Sequence, residues 1–331
     1  MKTLVVAGLS LALLVVPATH VAAAAAATSC ARSPGLAYHW PLMPFDRQHP
    51  IRGAFGDPRI VSLNLPFGWT GPRQTAAYSF HNGVDIGAEP GTPVYPVVSG
   101  RVVRANTGQI VVLTSDGRSF QYYHLSKARA VQKGRCVVAY HTVLGWIRTG
   151  YEHVHLAEID NYVVHNPLGR GHLEPYRDST KPTATGLYLD DGSLPDRLAG
   201  RPLGPGGRLS VATADPPAVT VPGPWYGLPQ TPALVEWRLF HGGTRTAWQV
   251  AADFRYTQPP PRLFWDVYGA GTYQNCPQFE KQSYLGMPGR YLFRVHLHPD
   301  RLRPGAYRLA VRVSDVRGNM STAWWPLTIV H

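Results

Sequence analysis

Three short histidine-containing clusters in the first half of the chain could hold a metal ion. They are His81-Asn-Gly-Val-Asp85, Tyr122-Tyr-His124-Leu-Ser126 and His153-Val-His155-Leu156. In an extended strand, residues two apart point to the same face, so His153 and His155 would project side by side. Catalytic zinc typically takes three protein ligands, and two histidines with one carboxylate form an established set. His81, Asp85 and His155 would supply that set and leave one histidine of the pair free beside the metal.

Spacing alone is weak evidence for such a site. The chain contains 14 histidines, and a second two-apart pair occurs at His296 and His298 without companion ligands. Taken singly, His81 and Asp85 could form a surface turn with a capping aspartate. His124 could likewise be a strand histidine packed against a neighbouring tyrosine.

The elements that must position these clusters are short strands. The helical zinc motif H-E-x-x-H is absent from the sequence, and Gly83 favours a turn or bulge between His81 and Asp85. Gly83, Gly91 and Gly100 are all expected to be turn residues. Apolar runs broken by glycines predict strands over 92–98, 100–105, 109–114 and 119–124. The intervening Asp-Gly at positions 116 and 117 predicts a hairpin, so residues 50–170 are expected to form an antiparallel β domain.

A polar, proline-containing stretch at residues 171–182 predicts a linker, and residues 183–331 are again β-like. From Tyr307 to Val313 apolar and polar residues alternate. A turn at 315–319 and a final apolar strand follow, which resembles the closing hairpin of an immunoglobulin-like β-sandwich. Trp324 and Trp325 are expected to belong to the sandwich core rather than to a glycan-binding platform.

The N-terminus predicts export. Lys2, an apolar run and an alanine-rich stretch follow the order of a secretory signal peptide over residues 1–27, with cleavage between Ala22 and Ala27. An uncleaved membrane anchor is the alternative. Residues 28–49 form an N-terminal segment. After export, two of three cysteines could pair, and the pairing stays open at this stage: Cys30, Cys136 and Cys276.

Net charge bears on partners rather than on chemistry. The formal charge of +12 would attract polyanions, which for an exported protein include anionic wall polymers. With 16% charged residues and no basic helix or stacking motif, the sequence does not predict nucleic-acid binding. The expectation is a protein of the periplasm or cell wall without a stable membrane span after signal cleavage.

The motifs together resemble the LytM and lysostaphin-type endopeptidases. The resemblance rests on blocks that occur in the family's order: Ile51-Arg-Gly-Ala-Phe-Gly56, His81-Asn-Gly-Val-Asp-Ile86, Gly91-Thr-Pro-Val-Tyr95, Gly100-Arg-Val-Val103, Tyr123-His-Leu-Ser126 and Thr149-Gly-Tyr-Glu-His-Val-His155. It implies an all-β chain in which His81, Asp85 and His155 bind one zinc ion. It also implies that His124 and His153 flank the catalytic water.

The resemblance implies a secreted zinc metalloendopeptidase that hydrolyses peptide bonds in peptidoglycan stem peptides or cross-bridges. Two alternatives stay open: a secreted endopeptidase for glycine-rich proteins, and a non-catalytic module that binds the wall or regulates amidases. The second domain is expected either to position the enzyme on the wall or to cover and stabilise the first.

Two features depart from the family pattern. The stretch from residue 58 to 80 is longer than in a minimal member, which predicts an enlarged loop at the substrate groove. Ala157 stands where the family often has glutamate, and Glu158 follows one place later, so the support of the last ligand is expected to differ.

Overall fold

The computed structural model describes residues 30, 35–60, 78–126, 130–191, 196–274 and 289–331. The architecture is antiparallel β, and the α-helix in the described part is the four-residue α1 (Phe264–Val267), which confirms the all-β prediction. The predicted signal peptide, Cys276 and residues 61–77 of the long stretch before His81 lie outside the described residues. In the part that is described, no helix has both the length and the apolar character needed to cross a membrane.

Twelve short strands make up the first half of the chain. They are β1 (Ile51–Gly53), β2 (Pro58–Ile60), β3 (Tyr78–Phe80), β4 (Val84–Gly87), β5 (Pro93–Val94), β6 (Gly100–Asn106), β7 (Gln109–Leu113), β8 (Ser119–Tyr123), β9 (Cys136–Val137), β10 (Gly145–Trp146), β11 (His153–Asp160) and β12 (Val163–His165). The main sheet has the order β1-β4-β11-β8-β7-β6-β9, and β12 pairs with β11. The pairs β10-β5 and β2-β3 form two small additional sheets.

Sequence patterning accounts for most of these strands. The strands predicted at 100–105, 109–114 and 119–124 are confirmed as β6, β7 and β8, whereas the one predicted at 92–98 is reduced to the two residues of β5. The predicted hairpin joins β7 to β8, and Gly117 takes the positive φ of 94° in its turn. Along β8, buried and half-buried residues alternate, as expected for a strand with one face in the core.

The second half of the chain contains two further sheets. Its strands are β13 (Thr183–Leu189), β14 (Asp196–Arg197), β15 (Leu209–Ala214), β16 (Leu234–His241), β17 (Thr244–Arg245), β18 (Gln249–Asp253), β19 (Tyr291–Val295), β20 (Gly305–Ser314) and β21 (Met320–Ile329), with 3₁₀ turns at Pro261–Leu263 and Pro299–Arg301. One sheet has the order β14-β13-β15-β19, and the other has the order β17-β16-β20-β21 with β18 paired to β16. The immunoglobulin-like assignment and the domain boundaries remain predictions.

The closing hairpin is present as β20 and β21, which pair along their whole length. The expectation for its two tryptophans was wrong in part. Trp324 is 44% exposed on the outer face of the sheet, whereas Trp325 is half-buried and packs against the core. The two residues are neighbours on one strand, so their side chains must point to opposite faces, and only one of them can face the core.

The N-terminal segment is tied to the first half. A disulfide joins Cys30 to Cys136 on β9, which resolves the pairing that the sequence left open. Trp40 is fully buried, and its indole N–H donates to the carbonyl of Pro175 at 2.9 Å.

The two halves share a continuous hydrophobic core. Phe254 of the second half lies against Gly56, where an added Cβ would come within 2.5 Å of the phenyl ring, so glycine is required for this close approach. The hydroxyl of Tyr268 donates to the Gly56 carbonyl at 2.8 Å, and the Gln258 amide donates to the Phe80 carbonyl at 2.6 Å. The second half therefore packs against Gly56 and β3, the segments that precede His81.

Candidate metal centre

Three adjacent strands bring the predicted site residues together. β11 lies between β4 and β8, and the register sets His155 opposite Asp85 on one side and opposite Tyr123 on the other. His81 lies between β3 and β4, and His124 follows the last residue of β8. Because side chains on neighbouring strands that share a face lie close together, this register gathers residues from distant parts of the sequence.

Three side-chain atoms converge at the centre of this cluster. His81 Nε2 lies 2.8 Å from His155 Nδ1 and 3.1 Å from Asp85 Oδ1, and the last two atoms are 3.2 Å apart. Ligands held at about 2.0–2.1 Å around a tetrahedral zinc ion lie about 3.3 Å from one another. The donor set and its spacing therefore fit a divalent metal ion of the zinc type. Within the described residues, these three form the group able to hold a metal.

Contacts behind the cluster present the correct atoms to a metal. His81 Nδ1 lies 2.8 Å from the carbonyl of Ala54, to which it can only donate, so Nε2 carries the lone pair. Burial, followed by the charge of Arg59, lowers the pKa of His81 to about 3, so the ring is neutral at physiological pH. A neutral imidazole is the form that binds metal.

Asp85 is held in its ionised form. Burial alone would raise the pKa of its carboxyl, but His81 and the guanidinium of Arg52 outweigh this effect and hold the pKa well below its usual range. Arg52 Nη2 and Arg59 Nη2 lie 3.3 Å and 3.0 Å from Asp85 Oδ2. The two arginines thus contact one carboxylate oxygen, while Oδ1 faces the histidines.

His153 lies beside this set and is held from both ends of its ring. Its Nδ1 hydrogen-bonds to the carbonyl of Tyr151, and its Nε2 accepts a hydrogen bond from Arg52 Nη2 at 2.9 Å. The side chain is 1% exposed, and burial, despite the nearby charge of Asp85, lowers its pKa well below the usual range. His153 is therefore a neutral imidazole with a fixed orientation.

His124 is the more accessible of the two additional histidines. Its ring stacks on Tyr151 at 4.3 Å and lies 4.6 Å from the ring of His153 and 6.4 Å from that of His155. Burial lowers its pKa to about 4, so this ring is also neutral at physiological pH. The backbone of His124 has a φ of 64°, which turns the chain sharply at the end of β8.

A tryptophan from the second half forms part of the wall of this site. The Arg52 guanidinium lies 4.2 Å from the ring centre of Trp225, which is 3% exposed and 6.4 Å from the His153 ring. The segment after Trp225 is fixed to the first half, because the Gln230 amide donates to the carbonyl of Ile51. Trp225 therefore supports an arginine that contacts both Asp85 and His153.

Of the glycines expected in turns, Gly100 is instead the first residue of β6. Gly83 lies at a bend before β4, as expected, and the close approach of another strand also requires glycine there. It has no positive φ; instead, an added Cβ would lie 2.2 Å from the Leu156 carbonyl oxygen and 2.8 Å from the His155 ring. Glycine at this position therefore allows the strand of His155 to approach. Glu158, which follows Ala157, points away from the metal cluster and pairs with His172 at 2.7 Å, so it does not contact the ligand His155.

The structure gathers all five predicted residues, while their individual roles remain predictions. Sequence reasoning missed four further residues: Arg52, Arg59, Tyr151 and Trp225. Arg52 and Tyr151 lie inside the motif blocks and could have been found there as neighbours of the ligands. Trp225 has no sequence signal, because only the packing of the second half brings it to the site.

Comparison with known proteins associates this geometry with a family. The profile of peptidase family M23 matches residues 79–165, the segment that contains His81, Asp85, His124, His153 and His155. Among proteins with curated descriptions, none matches the chain.

Solved structures of M23 peptidases align with part of the chain. A protein from Pseudomonas aeruginosa described as an M23 peptidase is 19% identical over 39% of this chain and 48% of its own, with a TM-score of 0.26. The deep-sea M23 metalloprotease pseudoalterin is 19% identical over 43% of this chain and 80% of its own, with a TM-score of 0.27. Helicobacter pylori Csd3 is 20% identical over 37% of this chain and 35% of its own, with a TM-score of 0.27.

The present chain spans about half the length of the first of these structures. The family assignment therefore rests on the profile match and on the motifs within it. That match covers the segment in which the ligand atoms converge, so residues 79–165 are similar to family M23 in sequence profile and carry a donor set that suits a metallopeptidase, which supports the LytM-type resemblance of the motifs.

Proposed function

We propose that this protein is a secreted zinc metalloendopeptidase that hydrolyses peptide bonds in peptidoglycan stem peptides or cross-bridges. The observation that carries the proposal is the convergence of His81, Asp85 and His155 beside two further neutral histidines. Three protein ligands leave one zinc position open, as in catalytic sites, whereas structural zinc sites usually have four protein ligands. Of the two extra imidazoles, the ring of His124 can accept a proton in a hydrolysis, and His153 holds Arg52.

Zinc is the metal that this donor set favours. Two imidazole nitrogens and one carboxylate oxygen form an established set for catalytic zinc, and sulfur ligands are absent from the cluster. When bound there, the ion would act as a Lewis acid that polarises the scissile carbonyl and lowers the pKa of the attacking water.

His124 is assigned the role of proton acceptor. Its ring is neutral, and within the described residues it has no hydrogen-bond partner, so a lone pair is available to the attacking water. His153 is held by Tyr151 and Arg52, which suits a group that fixes the position of the Arg52 guanidinium. That cation could stabilise negative charge that develops on the substrate during hydrolysis.

Export is supported by two observations. The N-terminal sequence follows the order of a signal peptide, and the Cys30–Cys136 disulfide is typical of proteins that fold in an oxidising compartment. We therefore place the mature protein in the periplasm or the cell wall. Peptidoglycan is supported by the resemblance to LytM-type endopeptidases.

The test uses the mature protein and two variants, His155→Ala and His298→Ala. We expect about one zinc ion per wild-type chain and chelator-sensitive release of new amino termini from isolated murein. His155→Ala should lose both properties, whereas His298→Ala should keep both because its side chain is exposed in the second half. Thermal unfolding of each variant checks that the fold is retained.

The alternatives give different results in the same assay. A non-catalytic module would bind sacculi without zinc and release no amino termini, even after zinc is added back. An endopeptidase for glycine-rich proteins would cleave an elastin-like polypeptide and leave murein intact. Either result would overturn the proposal.

A further inference from the structure

The outer face of the sheet formed by β16, β20 and β21 carries alternating arginine and aromatic side chains. The series, which we name the arginine-aromatic platform, runs through Arg312, Trp248, Arg238, Phe240, Arg308 and Trp324. The platform is far along the chain from the M23 segment and has no part in the proposed catalysis.

Short distances link successive members of the platform. The guanidinium carbons of Arg312 and Arg238 each lie 4.3 Å from the ring centre of Trp248. Arg238 also lies 4.9 Å from Phe240, and Arg308 lies 5.8 Å from Phe240 and 4.9 Å from Trp324. The Phe240 and Trp324 rings are themselves 4.9 Å apart. Each of these arginine-ring distances falls in the range of a cation–π contact.

The strand register places these side chains on one face. Phe240 pairs with Arg308, and Ala310 lies between Arg238 on β16 and Trp324 on β21. Ala310 is fully buried although it belongs to the outward-facing set, because the larger side chains beside it cover its methyl group. A small residue at this central position leaves room for the larger side chains of the platform to contact one another above the sheet.

The platform carries more positive than negative charge. Glu236 pairs with Arg312 at 2.7 Å, but Arg238, Arg308 and the adjacent Arg245 of β17 take part in no ion pair within the described part of the chain. Desolvation, then the charges of Arg245 and Arg312, lower the pKa of Arg238, which shows that the cations crowd one another. Such crowding costs free energy in the isolated protein and would be relieved by a bound anion.

The geometry favours anionic groups over flat bases as the ligand. Trp248 already contacts two guanidinium groups, so it acts as a support for arginines rather than as an open surface for base stacking. A guanidinium stacked on a ring directs its N–H groups outward in its own plane. That fork binds phosphate oxygens in pairs.

We propose that the arginine-aromatic platform binds a linear phosphodiester-linked polyol chain of the cell envelope. The choice of an envelope polymer rests on the proposed function, since a wall hydrolase works among such chains. Several arginines on a flat, open surface suit a ligand that repeats its charges along its length, and they would hold the enzyme beside its substrate.

Binding of mature full-length protein to a short synthetic poly(glycerol phosphate) chain, measured by calorimetry, tests the proposal. Single-stranded DNA and anionic lipid vesicles serve as comparison ligands. Arg245→Gln combined with Arg308→Gln removes one exposed cation of the platform and one directly beside it, and Arg135→Gln combined with Arg177→Gln removes two exposed cations elsewhere. We expect the platform variant to bind the polymer about tenfold more weakly or worse and the control variant to change by less than about twofold. Both variants should retain the thermal unfolding temperature of the wild type.

Several results would overturn the proposal. These are no binding by wild type, an equal loss in both double variants, or stronger binding to DNA or vesicles than to the polymer. The assay needs neither metal nor a peptide bond, so its outcome is independent of the proposed peptidase activity. If the protein binds the polymer but leaves murein intact, the binding proposal for the platform is supported and the proposed peptidase function is overturned.

Discussion

The chain contains two His-x-His pairs, and the structure gives them different surroundings. His153 and His155 are 1% and 6% exposed and lie within a cluster of imidazoles and one carboxylate. His296 and His298 are exposed and line a surface cavity of about 300 Å³ that also includes Asp266. In the described part of the chain, only the first pair contributes to a group that could hold a metal.

The difference comes from the position of each strand in its sheet. β11 is central, so the strands on either side of it deliver Asp85 and Tyr123 to positions opposite His155. β19 is the edge strand of its sheet, and it ends at Val295, one residue before the second pair begins. A two-apart pair therefore becomes a metal site only where neighbouring strands supply the remaining ligands.

The largest expected effect that separates the two pairs is catalytic. His153→Ala should keep the three ligand residues, and therefore zinc, yet reduce kcat on murein peptides by about 10²–10³-fold, the usual loss when stabilisation of the charge that develops in the transition state is removed. His296→Ala should leave kcat and zinc content unchanged. Steady-state kinetics and metal analysis on both variants measure this contrast. Loss of zinc from His153→Ala would show that His153 is a ligand and would reverse the assignment.

The sequence predicted which residues converge, but it did not predict the contacts that hold them. His81, Asp85 and His155 could be proposed as ligands because spacing, residue type and block order all indicated the same chemistry. The role of Gly83 could not be identified, since it depends on the approach of a strand that is distant in sequence. Trp225 could not be identified for the same reason.

A second contrast, between the histidines around the metal cluster and the exposed second pair, concerns the pH dependence of stability. Burial lowers the pKa of His81 to about 3 and of His124 to about 4, whereas unfolding returns both to about 6.5. The unfolded chain therefore binds more protons below this value, and stability falls as pH falls. Asp57 acts in the opposite direction over part of the range, because burial raises its pKa to about 6.

Asp215 and Asp315, whose pKa values burial also raises, act in the same direction as Asp57. Each histidine of lowered pKa should by itself lower the unfolding free energy of the metal-free protein by about 1.4 kcal/mol per pH unit between about pH 6 and pH 4. Chemical denaturation in the presence of chelator measures this slope. His124→Gln should make the slope shallower by about one proton, and His298→Gln should leave it unchanged. Equal slopes in wild type and His124→Gln would show that the ring of His124 is not buried as the structure has it.

Fold prediction succeeded where a pattern is local. The hairpins β7-β8 and β20-β21 follow from alternation and turn residues within a few positions of each other. The face of the sheet to which Trp324 points could not be predicted from such a local pattern. Alternation separates Trp324 from Trp325 but does not say which of them enters the core, and the covering layer that decides this comes from distant strands.

The smallest effect separates two tryptophans that each stack on an arginine. Trp225→Ala removes the ring 4.2 Å from Arg52, whereas Trp248→Ala removes the ring 4.3 Å from Arg238 on the arginine-aromatic platform. A cation–π contact contributes about 0.5–2 kcal/mol, so Trp225→Ala should lower kcat/KM on a short soluble murein peptide by about 2- to 30-fold. Trp225→Phe should restore part of this loss, because a ring at that position would again hold the guanidinium beside His153.

Trp248→Ala should leave hydrolysis of the soluble peptide unchanged, since Arg238 does not reach the metal centre. A similar loss in both variants would mean that the tryptophans act through overall stability, and Arg52 would then need no support from the second half of the chain.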